Sequence, residues 1–145
     1  MKMNREIKFR AKNTITGDWI YGGYYKHLKR TPSPIGDSIK EDDYYHLIIK
    51  GGYSDWNMPK PLECSGVDKE TVGQYTGLRD VNNKEIYEGD IIQCDNLLWC
   101  VNYDMGSYTM GFVLDAIKHH ESCVHHLTWE NGKVIGNIHD NPELL

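Results

Sequence analysis

Residues 72–92 constrain the fold more than any other part of the chain. They read as two short extended runs around a polar turn at Asn82-Asn83, closed by a second tight turn at Glu88-Gly89-Asp90. Asparagine and glycine supply the left-handed backbone conformations that such turns need. The stretch therefore folds back on itself as a hairpin. It contains no nucleophile–base pair, no phosphate loop and no metal-ligand spacing, so it describes an architecture and not an activity.

The same rhythm runs through the rest of the chain. Ile7, Phe9 and Ala11 alternate with Lys8, Arg10 and Lys12, the period of a half-buried strand with a basic outer face. Thr16-Gly17-Asp18 is a turn and residues 19–25 resume an extended run, in which Gly22-Gly23 marks a bulge or a close backbone approach. Pro32 and Pro34 make residues 31–37 a loop, and the acidic Glu41-Asp42-Asp43 continues it in solvent. Residues 44–50 form a third strand, ended by Gly51-Gly52. Another loop runs through residues 53–61, and Asp68 caps one helical turn.

Beyond the central stretch, residues 91–94 are extended. Leu97, Trp99, Val101 and Tyr103 form one face of the next strand, opposite Leu98, Cys100 and Asn102. Met110, Phe112, Leu114 and Ala116 repeat the pattern. Asn131-Gly132 signals a type I′ hairpin, and Asn141 caps a last turn with Pro142 at its first position. Ten tyrosines and four tryptophans against two phenylalanines fit half-buried sheet faces, where the ring packs and its polar tip stays wet. The expected fold is mainly β with little helix. Residues 1–72 form a small N-terminal sheet region, and residues 73–145 an SH3-like small β-barrel.

Gly73-Gln74-Tyr75-Thr76-Gly77-Leu78, then Asp80, then Lys84-Glu85-Ile86-Tyr87-Glu88-Gly89-Asp90-Ile91 resembles the signature of the YopX family. Residues 5–11 at the start resemble it too, as do residues 134–138 and 141–145 at the end, so the resemblance spans nearly the whole chain in order. One departure is Asn82-Asn83, where members usually carry Asn-Gly; asparagine is the best substitute for glycine at a positive φ. Residues 27–62 match little. The resemblance implies a phage- or prophage-encoded accessory protein of a family without a known activity, placed in the bacterial cytoplasm.

No apolar run approaches the roughly 18 residues that span a bilayer, and no apolar signal core follows the first residues, so no membrane association is expected. The four cysteines (Cys64, Cys94, Cys100 and Cys123) are scattered and read as free thiols. Net charge is −5, which opposes sequence-independent binding to phosphates. Its distribution is uneven. Through Arg30 there are eight basic and two acidic residues, a net of +6, whereas the remainder holds eight basic and nineteen acidic residues, a net of −11.

Three constellations stand against plainer readings. His119, His120 and Cys123 suggest half of a zinc site, but adjacent strand residues point to opposite faces and no second ligand pair is near in sequence. A polar, titrating hairpin is the favoured account, with no metal and no cofactor. Asp80, Glu85, Glu88 and Asp90 cluster in the central stretch, with Asp140 and Glu143 near the end, and are read as turn-stabilising carboxylates, not catalytic ones. Lys8, Arg10 and Lys12, near Tyr21, Tyr24 and Tyr25, are interaction candidates. A solvated strand face ranks first there, head-to-tail self-association second and nucleic-acid contact third. The expectation is a non-enzymatic module that binds itself as a homo-oligomer, or a host or phage protein. A nucleic-acid-associated module is the alternative.

Overall fold

A computed structural model describes residues 5–51, 61–104, 111–117, 122–123 and 131–145. The chain is mainly β and antiparallel, and divides into two compact units, Lys8–Val72 and Met1–Ile7 with Gly73–Leu145.

In the first unit, β1 (Phe9–Lys12), β2 (Trp19–Leu28), β3 (Tyr44–Gly51) and β4 (Leu62–Gly66) lie in the order β4-β3-β2-β1. The period-two pattern decides which side is packed. Ala11, Ile48 and Val67 are buried together, with Phe9, Ile20, Tyr24 and Val72 against them. Gly22 sits in the middle of β2 because a Cβ there would lie 2.2 Å from the Ile49 carbonyl oxygen. The expected close backbone approach is that contact.

The sheet curls. Asn13, just past β1, bridges Val67, just past β4, and the Asp68 N–H donates to the Lys12 carbonyl at 2.9 Å. Thr71 Oγ1 accepts from the Lys12 N–H at 2.8 Å, from a 3₁₀ turn (Lys69–Thr71) whose start Asp68 caps through the Glu70 N–H. That cap matches the sequence pattern. Two details differ from expectation. Glu41–Asp43 is a 3₁₀ turn held by its own carboxylates, not open loop. Leu62–Gly66, which the sequence does not assign, is a strand although it is mostly exposed.

In the second unit, β5 (Gly73–Arg79) and β6 (Glu85–Tyr87) form the expected hairpin, with Asn83 at φ 65° and Gly89 at φ 83° in its two turns. Asparagine does carry the left-handed turn. The strands β7 (Asp90–Cys94), β8 (Leu97–Asp104), β9 (Gly111–Ala116), β10 (Ser122–Cys123) and β11 (Lys133–Asn137) follow in the order β10-β9-β8-β7-β11. Among the described residues this sheet is open, with β10 and β11 at its edges, and does not close into a barrel.

Trp99, Val101, Leu114, Ile92, Val134 and Ile86 make the larger core, with Phe112 and Ala116 against it. The alternation in β8 and β9 is thus as expected. The other side of β8 is covered as well, since Cys100 packs with Ile91 and Ile117, and Leu98, Ile138 and Leu144 lie against them. The last 3₁₀ turn (Pro142–Leu144) has Pro142 at its start, but Asn141 does not cap it by side chain. Asn141 Oδ1 instead accepts from the Asn137 N–H at 3.3 Å. The hairpin expected at Asn131-Gly132 involves residues 124–130, outside those described.

Candidate functional site

The six interaction candidates separate. Strand register pairs Arg10 with Tyr21, Lys12 with Trp19, Tyr25 with Leu47 and His27 with Tyr45, and paired residues share a face. Lys8, Arg10 and Lys12 therefore share the outer side of the first sheet with Tyr21 and Tyr25. Tyr24, one residue off in parity, points into the core, where its hydroxyl lies 2.6 Å from His46 Nδ1.

Arg10 departs from the expected solvated face. It is 6% exposed, and its guanidinium lies 4.7 Å from the centre of the Trp19 ring. A planar cation stacks on indole at little cost in hydration, which explains a buried arginine on an outer face. Lys8 and Lys12 are half-buried.

Toward β3 and β4 the same face opens. Tyr25 is 49% exposed, Tyr45 52% and Leu62 66%, with His27 and Cys64 also exposed and Leu47 and Ile49 half-buried. Tyr45 and Leu62 carried no sequence signal of their own. Lys29 Nζ lies 5.0 Å from the Tyr45 ring centre. Among the described strand residues no aspartate or glutamate belongs to this face, because strand parity sends Glu63 to the other side.

The basic N-terminal segment is partly neutralised by the loop that follows it. Lys26 Nζ meets Glu41 Oε2 at 2.6 Å, and Arg30 holds Asp37 at 2.6 and 2.9 Å and Asp43 at 3.2 Å. Hydrogen bonds from Arg30, then from the Ser33 N–H, hold the Asp37 carboxyl down at about 2. The Lys26 ammonium lowers Glu41, and the Lys40 N–H followed by Arg30 lowers Asp43. Residues 8–72 hold ten basic and nine acidic residues, a net of +1, against a net of −6 for the other unit. The contrast between +6 and −11 softens once the chain folds.

In the second unit, Glu88, Asn102, Tyr103, Val113 and Asp115 line a cleft of about 430 Å³. Asn102 Nδ2 donates to Asp115 Oδ2 at 2.5 Å, and Cys100 Sγ lies 3.7 Å from Asn102 Oδ1. Burial, followed by the charges of Asp115, Asp90 and Glu88, pushes the Cys100 thiol up to about 11. Such a thiol stays protonated at neutral pH, so it is a packing residue and no nucleophile. A second cleft, of about 470 Å³, lies at the β1–β2 turn between Asn13, His46, Val67 and Lys69. There His46 Nε2 is 3.3 Å from Glu41 Oε1 but outside hydrogen-bond geometry.

His119 and His120 lie outside the described residues, and Cys123 is described only as a β10 residue paired with Leu114. Among the described residues no three histidine, cysteine or carboxylate side chains gather as metal ligands.

The chain matches the YopX family over residues 8–145. It belongs to the YopX family. Protein EF1440 from Enterococcus faecalis, known from a crystal structure, is 24% identical; the match covers 97% of this chain and 98% of that one, with a TM-score of 0.47. No curated protein matches the chain.

The signature that links this chain to the YopX family is occupied with construction. Gly73 lies where a Cβ would come within 2.6 Å of the Glu88 carbonyl oxygen. Thr76 Oγ1 donates to the Ile86 carbonyl at 2.9 Å and accepts from the Leu78 N–H at 3.2 Å. Asp80 Oδ1 accepts from the Asn82 and Lys84 N–H groups, and Oδ2 from Val134 in β11. Burial alone would raise the Asp80 carboxyl, but those three donors outweigh it and hold the group below its ordinary value. Asp90 Oδ2 accepts from the Tyr87 N–H at 2.8 Å across the glycine turn. Each of these groups is used to join a turn or a strand.

Proposed function

We propose that this YopX-family protein is a non-enzymatic phage or prophage accessory protein that acts by binding another protein, through the outer face of its N-terminal sheet. One observation carries the reading: Tyr25 and Tyr45, diagonal neighbours across β2 and β3, stand about half in water on a sheet face that carries no carboxylate among the described strand residues. Tyrosine supplies a large, stiff, amphipathic contact at low entropic cost, and such surfaces recur at protein interfaces. The partner is a host or phage protein, or a further copy of the chain as a homo-oligomer.

Nucleic-acid association ranks lower. Arg10 is committed to Trp19, and Lys26 and Arg30 to Glu41, Asp37 and Asp43, and the unit as a whole carries a net charge of only +1, which gives little attraction to phosphates. The SH3-like barrel was expected over residues 73–145, where the described strands form an open sheet; the more barrel-like feature lies instead in residues 8–72. There four antiparallel strands curl until Asn13 bridges Val67, and a 3₁₀ turn follows the fourth. No helix among the described residues is long and apolar enough to cross a membrane, and we place the protein in the cytoplasm of the bacterial host.

The test compares the tagged protein with a Tyr25→Ser/Tyr45→Ser variant. Both are mixed with host lysate, with and without nuclease, and the mass of each is measured by light scattering. The reading predicts a discrete protein partner, or a defined oligomer, that the variant loses while its melting temperature holds. Capture that persists in the variant, or that disappears with nuclease, overturns it.

A further inference from the structure

The first sheet ends in an edge that is only half closed. β4 pairs with β3 from Gly51 opposite Leu62 to Leu47 opposite Gly66, and the Val67 N–H just beyond donates to the His46 carbonyl at 2.9 Å. Backbone groups of an antiparallel strand alternate in direction along the chain. Val67, Ser65 and Glu63 therefore turn their N–H and C=O groups toward β3, while Gly66, Cys64 and Leu62 turn theirs away. The Gly66 carbonyl is met by the Thr14 N–H at 3.1 Å. Among the described residues nothing meets the backbone of Cys64 or Leu62 on that side.

Natural edge strands are commonly blunted by a bulge, a proline, a lysine or an inward-pointing charge. β4 runs Leu-Glu-Cys-Ser-Gly, with no proline or lysine, and its register with β3 is unbroken. Its one charge, Glu63, lies on the opposite face from Leu62 and Cys64, with Lys50 Nζ 3.5 Å away. Both faces are in water: Leu62 is 66% exposed, and Glu63 and Cys64 are exposed. Burial does not account for this strand, whose order comes from its ladder to β3. Leu62 and Cys64 stand on the side of the sheet that carries Ile49, Leu47 and Tyr25.

We propose that the Leu62–Cys64 edge takes an extended segment of a partner protein, which adds to the sheet as a further strand. The outward N–H and C=O groups of Leu62 and Cys64 match the alternating donors and acceptors of extended backbone, which neither a lipid surface nor a phosphate chain presents. Segment residues opposite Leu62 and Cys64 share their face and are apolar, and the residue opposite Glu63 is polar. A second copy's β4, laid antiparallel on the same stretch, would set Glu63 directly against Glu63, and like charges so placed are destabilising. A different protein's segment meets no such penalty. The proposal rests on the reading of the chain as a protein-binding module, and deepens it by naming a backbone ladder as the means of contact.

Amide hydrogen exchange of the tagged full chain, alone and after capture from nuclease-treated host lysate, tests it. In the purified protein the Leu62 and Cys64 amides should exchange severalfold faster than those of Glu63 and Ser65, and capture should slow Cys64 severalfold. Cys64→Pro removes only an outward N–H, the position at which strand edges tolerate proline. It should capture severalfold less partner, whereas Cys64→Ala should capture as much as the unaltered chain. If Cys64→Pro does not fold, the exchange comparison decides alone. A Cys64 amide already slow in the purified protein overturns the proposal, because the chain then covers its own edge. So does an amide that stays fast in the captured complex, or one protected merely by concentrating the protein, which would be self-pairing. A folded Cys64→Pro that captures fully overturns it too, as does a lysate that yields no partner. Capture lost in Tyr25→Ser/Tyr45→Ser but kept in Cys64→Pro rejects the edge and retains the tyrosine face. The reverse result separates the two the other way.

Discussion

Asp80 accepts three backbone N–H groups with one carboxylate, two in its own turn and one from Val134 in β11. Removing an acceptor of this kind leaves buried donors without partners, so Asp80→Ala should cost about 3 kcal/mol in chemical denaturation. Its pH dependence has a definite sign. The carboxyl is depressed in the folded protein, so its contribution is full above the ordinary carboxylate range. It fades as pH falls through the lower folded value. Asp37 makes the same argument at the surface, through Arg30 first and the Ser33 N–H second. The loop clamp should hold above about pH 4 and loosen as pH falls toward about 2, the folded value. Carboxyl-carbon titration by NMR should give a midpoint near that value, returning toward the ordinary range in Arg30→Gln. A midpoint unchanged by that substitution would show that the guanidinium is not the cause.

Within elements, parity is the strongest lever. Tyr24 and Tyr25 are adjacent and chemically identical, yet one packs against Ala11 and Ile48 while the other stands in solvent. Tyr24→Ala should therefore cost about 3 kcal/mol, and Tyr25→Ala less than about 0.5 kcal/mol, by thermal or chemical unfolding. Equal losses would mean that β2 is out of register. Gly22→Ala should also destabilise, by about 2 kcal/mol, because its Cβ meets the Ile49 carbonyl and backbone cannot swing aside as a side chain does. These strands were legible because Ile7, Phe9 and Ala11, and later Trp99 and Val101, alternate. Leu62–Gly66 was not, since a five-residue edge strand that buries neither face resembles a loop. Grouping Tyr24 with Tyr21 and Tyr25 took nearness in sequence for nearness in space.

At the scale of the molecule, local and long-range information part company. The turns at Asn82-Asn83 and Glu88-Gly89-Asp90 lie within a few residues and could be read directly. The Asp80–Val134 bond joins positions 54 apart, and strand order depends on many such pairings that no window of sequence contains. The same gap explains the site. The family signature is the most readable part of the chain, and it is committed to hairpins and turns. The surface proposed for function is assembled from β2, β3 and β4, strands that meet only through pairings distant in sequence. Charge asymmetry was also real in sequence and weaker in space, because Asp37, Glu41 and Asp43 fold back onto Lys26 and Arg30.

Hydroxyl-radical footprinting of the tyrosines addresses the tyrosine face most directly. It is done on the purified protein and again on the tagged protein in nuclease-treated host lysate. Tyr25 and Tyr45 should be oxidised readily in isolation and several-fold less in lysate. Buried Tyr87 should stay low in both, and Tyr103, 41% exposed in the other unit, should be unchanged. Equal oxidation of Tyr25 and Tyr45 in the two samples, with protection appearing only at Tyr103, would contradict the account.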